Sequence, residues 1–175
     1  MENFRNQNQS TMSKTAKNEA WRLQTGEVVI DRGRSHLHDS VESLLPEALA
    51  RIQSGDRDFL KETVDFGRPI GRTTCVPTLP NDVIIWAKRP NRFGHTRFVK
   101  NRAPEVCSSM VIILKKAEDR PGTYILISAF VSNGAEPEVW DRNATPHSRE
   151  FWASHALVWG SEPTVKGTET VRCPW

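Results

Sequence analysis

Four short runs between Val83 and Phe130 decide how the chain is read: Val83-Ile-Ile-Trp-Ala-Lys-Arg89, Gly94-His-Thr-Arg-Phe-Val-Lys100, Met110-Val-Ile-Ile-Leu114 and Tyr124-Ile-Leu-Ile-Ser-Ala-Phe130. Each is short, rich in β-branched and aromatic side chains, and bounded by Pro, Gly or Asn, which is the pattern of strands joined by turns. The interval from Trp86 to Arg102 holds Lys88, Arg89, Arg92, Arg97, Lys100 and Arg102, with His95 among them and no carboxylate. The expectation is a small antiparallel sheet whose first hairpin carries positive charge on one side.

On the N-terminal side of these runs the apolar period changes. Asp39 and Ser40 are suited to cap a helix through Val41, Leu44, Leu45, Ala48, Leu49 and Ile52, with Pro46 at a first turn or a kink and Gly55 beyond the end. Asp56 is suited to cap a second helix through Phe59, Leu60 and Val64, stopped at Gly67 before Pro69. A short strand at Val28–Ile30 and another at Thr73–Val76 complete this half. On the C-terminal side, Ser148 to Trp159 reads as a helix with Phe151, Trp152, His155 and Ala156 on its inner face and Gly160 after it. The predicted fold is therefore α+β: an antiparallel sheet of four to five strands packed on two N-terminal helices, with an additional C-terminal helix. Residues 1–20 are polar without a hydrophobic period and read as a disordered leader, 21–160 as a single domain, and 161–175 as a tail.

Composition narrows the function classes. The formal net charge is only +3 over 175 residues, so attraction for nucleic acid has to come from local clustering rather than from a global polycation. Cys75, Cys107 and Cys173 are odd in number, widely spaced and without a CxxC or Cys/His pairing, which favours reduced thiols in a cytoplasmic protein over a zinc site or a disulfide framework. The N-terminus lacks an apolar h-region and no run of about 18 apolar residues occurs, so neither a signal peptide nor a membrane span is expected. His36 and His38 flank Leu37 without a third ligand nearby, and no metal or cofactor is expected.

Alternation along a strand puts His95, Arg97 and Val99 on one face and Thr96 and Phe98 on the other, with the imidazole and guanidinium about 7 Å apart. A histidine near its unperturbed pKa can move a proton of a ribose hydroxyl, while an arginine fork steadies the charge growing on a phosphate. Lys88 joins them as a further cation, with Arg89, Arg92, Lys100 and Arg102 as phosphate contacts. In the last run Ile125, Ile127 and Ala129 form the expected core face, leaving Ser128 to bond a phosphate and Phe130 to stack on a base, the alternative being Phe130 as a core residue and Ser128 as an incidental small one. The bland alternative makes His95 a turn residue and the arginines a solvated edge that discourages strand pairing. His155, among Phe151, Trp152 and Trp159, reads as a buried and satisfied histidine, with a second proton-transfer group as the alternative.

The basic hairpin Trp86-Ala-Lys-Arg-Pro-Asn-Arg-Phe-Gly-His-Thr-Arg-Phe-Val-Lys100 and the late strand ending Ile127-Ser-Ala-Phe130, preceded by helices, resemble the small metal-independent ribonucleases that group barnase, EndoU, the tRNA-cleaving colicins and RelE. The resemblance spans residues 39 to 135 and is one of layout and residue type. It implies RNA cleavage through a 2′,3′-cyclic phosphate, toxin activity, a neutralising protein partner, and catalytic roles for His95, Arg97, Lys88 and Ser128. Two other readings compete: a non-catalytic RNA- or DNA-binding module that uses the same hairpin, and an interaction module that docks through its Trp-rich C-terminal segment.

Overall fold

The computed structural model describes residues 21–24, 26–29, 36–37 and 39–175. The leader, residues 1–20, and His38 lie outside the described residues. The elements, in chain order, are β1 (Trp21–Leu23), β2 (Gly26–Val29), β3 (His36–Leu37), α1 (Asp39–Glu42), α2 (Leu45–Leu49), β4 (Phe59–Asp65), β5 (Gly71–Thr73), β6 (Cys75–Pro77), β7 (Ile84–Lys88), β8 (His95–Val99), β9 (Glu105–Cys107), β10 (Ser109–Lys116), β11 (Thr123–Val131), α3 (Ser148–Ser154) and β12 (His155–Val158). Strand accounts for 38% of the structure and helix for 10%, which overturns the predicted α+β fold with a sheet lying on two N-terminal helices.

Each helical expectation is altered for a local reason. The first predicted helix is realised as α1 and α2, of four and five residues, with Pro46 in the first turn of α2, where its missing N–H costs nothing. The second predicted helix is β4. Leu60 and Val64, its two buried apolar side chains, are four residues apart, a spacing that places them on one face of a strand as well as of a helix. The C-terminal helix stops at Ser154, and His155 turns to φ −129°, ψ 155° and starts β12. There Ala156 and Val158 are buried between two neighbouring strands. The last carbonyls of α3 are satisfied by side chains, with Ser154 Oγ donating at 3.1 Å to Phe151 O and His155 Nδ1 lying 3.0 Å from the same oxygen.

The four runs between Val83 and Phe130 are all strands, but they do not all lie in one sheet. β10 and β11 belong to a sheet ordered β1-β2-β11-β10-β4, with β3 also pairing β11, whereas β7 and β8 belong to a four-stranded sheet ordered β6-β12-β8-β7. Neither is purely antiparallel: β11 runs parallel to β2 and β3, and β12 runs parallel to β8. A two-stranded antiparallel ribbon, β5 with β9, completes the set.

The chain divides into two compact units, residues 1–62 with 112–129, and residues 63–111 with 130–175. In the first, Val28, Val41, Leu45, Leu49, Leu60, Ile112, Leu114 and Leu126 are fully buried. Along β11 the buried positions are Tyr124, Leu126 and Ala129, so of the expected core face Ala129 is buried while Ile125 and Ile127 are only half-buried. Tyr124 fills the core while its hydroxyl donates to Arg57 O at 2.7 Å, so the ring is buried without stranding its polar tip. In the second unit Val76, Val99, Ala156 and Val158 form a small core on one face of the β6-β12-β8-β7 sheet, with Ile84 against it. On the opposite face Phe98 is buried edge-on to Trp159, with ring centroids 5.3 Å apart.

Residues 161–175, read as a tail, finish that sheet. Trp86 and Thr170 exchange two backbone hydrogen bonds of 2.8 Å, and Val165 N donates to Lys88 O at 2.8 Å. Lys88 N donates to Thr168 Oγ1 at 3.0 Å. These bonds occupy the outer edge of β7, whose apolar sequence would otherwise present free N–H and C=O groups for another chain to pair with.

Candidate functional site

Register places the predicted residues. β7 and β8 pair antiparallel with Lys88 opposite His95 and Trp86 opposite Arg97. Directly opposed residues project to the same side, so Lys88, His95, Trp86 and Arg97 form one polar and aromatic patch, continued towards β12 by the apolar Ile84–Val99–Val158 row. The period-two reading of His95 and Arg97 as face-mates agrees with their partial exposure against the buried Thr96 and Phe98.

Each of the two side chains is held at one end. His95 Nε2 lies 3.1 Å from the carbonyl oxygen of Thr168. A carbonyl only accepts, so Nε2 carries the hydrogen, and in the neutral ring Nδ1 keeps its lone pair. Arg97 is anchored through Nη1, which donates to Thr78 Oγ1 (3.3 Å), Trp152 O (3.3 Å) and His155 O (3.0 Å). All three acceptors are neutral, and Arg97 makes no ion pair among the described residues. Burial pulls its basicity below the ordinary guanidinium value, partly offset by the electrostatic influence of Cys173 and Asp82. Its carbon Cζ sits 6.0 Å from the centre of the Trp86 ring. Trp86 is buried, and its indole N–H finds no acceptor among the described residues.

The remaining cations of the hairpin divide into two groups. Arg89 reaches the opposite face, donating from Nε to the buried Thr96 Oγ1 at 3.0 Å and from Nη2 to Glu138 Oε2 at 2.5 Å. Arg102 is shared between Asp82 and Glu105. Both were expected to contact substrate and both are engaged in ion pairs of the fold, because carboxylates from outside the 86–102 interval are folded onto it. Lys88, Arg92 and Lys100 form no ion pair among the described residues. Lys100 stands at the far end of β8 from the turn, its ammonium 5.7 Å from the centre of the Trp159 ring, and Arg92 is at the exposed turn.

Ser128 is not a member of this face. It stands on β11 in the first unit, in register with His36 of β3. Phe130, half-buried near the end of β11, belongs to the second unit but not to the β6-β12-β8-β7 sheet. His155 stacks on Phe151 with ring centroids 4.1 Å apart and planes 5° from parallel, and Nδ1–H donates to Phe151 O, which accounts for it as a satisfied structural histidine.

Three participants escaped the sequence reading. Trp86 has the same parity as Lys88, so hairpin register alone would have found it. Thr168 and Glu138 lie 73 and 49 positions from the hairpin residues they bond, and nothing local marks them.

Cys75, on β6, has its thiol pushed up to about 12 by burial and by the charge of Glu138, so it is a protonated and unreactive group at neutral pH. Among the described residues no cluster of three or more His, Cys, Asp or Glu is placed to hold a metal ion, and no helix is long and apolar enough to cross a membrane. Comparisons with protein-family models, with curated protein sequences and with solved structures returned no match to this chain.

Proposed function

We propose that the face formed by Lys88, His95, Trp86 and Arg97 binds an RNA phosphodiester and cleaves it without a metal ion. The observation that carries this reading is the one-ended anchoring of the two central groups. His95 is oriented through Nε2 with Nδ1 left as a base, and Arg97 is oriented through Nη1 with Nε and Nη2 unbonded among the described residues. A phosphate seated here accepts from the free guanidinium edge, with the Lys88 ammonium opposite His95 balancing its charge. His95 Nδ1 takes the proton of the ribose 2′-OH as that oxygen bonds to phosphorus. The bond from phosphorus to the 5′-oxygen breaks, the leaving oxygen takes a proton from water, and a 2′,3′-cyclic phosphate remains.

The test is incubation of the protein with structured RNA in EDTA, followed by analysis of fragment ends. Cyclic-phosphate ends are expected. His95→Gln should slow cleavage about 100-fold, the size of a general-base contribution, and Arg97→Lys about 10-fold or more because a point charge replaces a planar fork. RNA bound but never cut would leave a binding module on the same face. Cleavage that requires added Mg²⁺, or wild-type rates in both variants, would move the chemistry elsewhere.

A further inference from the structure

We propose that the tip of the β7–β8 hairpin is a base-stacking subsite for unpaired RNA, with Phe93 carrying a base and Arg92 the adjoining phosphate. The inference rests on the RNA reading above and assigns the substrate class of that site as single-stranded rather than duplex RNA. Phe93 is 85% exposed, the most exposed of the large apolar side chains among the described residues, and Arg92 beside it is also exposed. A single exposed phenylalanine is ordinary on a loose loop. This one stands on a turn that is braced from several sides.

Arg92 N donates to Arg89 O at 3.1 Å, and Asn91 adopts φ 60°, the left-handed conformation that asparagine tolerates better than most residues. Gly94 packs its backbone against the Trp140 ring so closely that no Cβ would fit, and Trp140 Nε1 donates to His95 O at 3.0 Å. Arg89, at the other foot of the turn, is tied down by Thr96 and Glu138. The fold therefore spends a buried ion pair, a tryptophan and a glycine on the feet of the turn, while the Phe93 ring remains in water. A ring presented on a braced support loses little freedom when a base stacks on it, which is the condition under which stacking contributes most to affinity.

Charge selects the partner. The only charged side chains of the 88–97 segment are cations, and the turn is contiguous with the Lys88–His95 pair of the proposed phosphate site. A polyanion whose bases are free to splay meets both requirements. A duplex does not, since its bases already stack on each other and offer no open π-face.

The experiment measures anisotropy of a labelled short 2′-O-methyl oligouridylate and of a blunt 2′-O-methyl RNA duplex of equal length, neither of which can be cut through a 2′-OH, titrated with the full chain as wild type, Phe93→Ala, Phe93→Trp and Arg92→Ala. Phe93→Ala should weaken oligouridylate binding about tenfold or more and leave duplex binding and the salt slope unchanged, while Phe93→Trp should retain wild-type affinity. Arg92→Ala should lower the salt slope by about one. Wild-type affinity for oligouridylate in Phe93→Ala, or an equal loss for duplex, overturns the subsite. If Phe93→Ala is silent while Arg97→Lys still weakens binding, only the subsite fails. If the wild type binds neither RNA, the RNA reading falls with it.

Discussion

Nη2 of Arg89 lies 2.5 Å from Oε2 of Glu138, and both side chains are largely buried. The ion pair joins the foot of the basic hairpin to a loop 49 positions away, so one of the six cations in the 86–102 interval is neutralised by a residue that no local pattern connects to it. Removing the carboxylate leaves a poorly solvated guanidinium without its countercharge. Glu138→Ala is expected to destabilise the fold by about 3 kcal/mol, the usual penalty for breaking a buried pair from one side. A urea midpoint within error of wild type would show that Arg89 finds another partner or reaches water.

Gly94→Ala tests the packing under the same turn. A methyl at this position enters the Trp140 ring, so either the ring or the hairpin has to move. The expected loss is about 2 kcal/mol, typical of overpacking, with a change in near-ultraviolet circular dichroism as Trp140 leaves its place and its bond to His95 O. An unchanged tryptophan signal with unchanged stability would contradict the packing.

The segment 165–170, bonded to β7 through Val165 and Thr170, protects an edge. Thr170→Pro removes the N–H that donates to Trp86 O, and with it half of the reciprocal pair that docks the segment. The variant is expected to be cut by protease in the 161–175 segment at least tenfold faster than wild type and to self-associate through β7, as sedimentation would detect. The same change should loosen the Thr168 carbonyl that orients His95. A monomer with wild-type protease resistance would show that the side-chain contacts of the segment suffice.

Cys75 carries a pH dependence whose sign follows from burial. Its thiol is raised from the ordinary 9.0 to about 12 in the folded protein, because burial, and then the charge of Glu138, disfavour the thiolate. The unfolded chain therefore releases this proton first. The contribution to stability is complete below about pH 9 and is lost between about pH 9 and 12, by close to tenfold in the folding equilibrium per pH unit. Comparison with Cys75→Val isolates the effect from other titrations: the wild type should lose stability more steeply across that window. Parallel curves would remove Cys75 from the account.

Short-range order was legible in the residues themselves. The four β-rich runs between Val83 and Phe130 are strands because β-branched and aromatic side chains fit a pleated, half-buried surface. Alternation correctly put His95 and Arg97 on one face, since the two-residue period is a property of any extended chain. What lay beyond local reading is everything that depends on partners. Leu60 and Val64 recur at a spacing common to helix and strand, and pairing in the β4–β10 sheet settles which. His155 to Val158 continue a helical apolar pattern, yet β6 and β8 on either side take their backbone bonds. The positive stretch looked unopposed because Asp82, Glu105 and Glu138 lie outside it in sequence and against it in space. Period and propensity act over a few residues, whereas hydrogen-bond partners and countercharges are set by which segments the chain brings together, and that is written in no single segment.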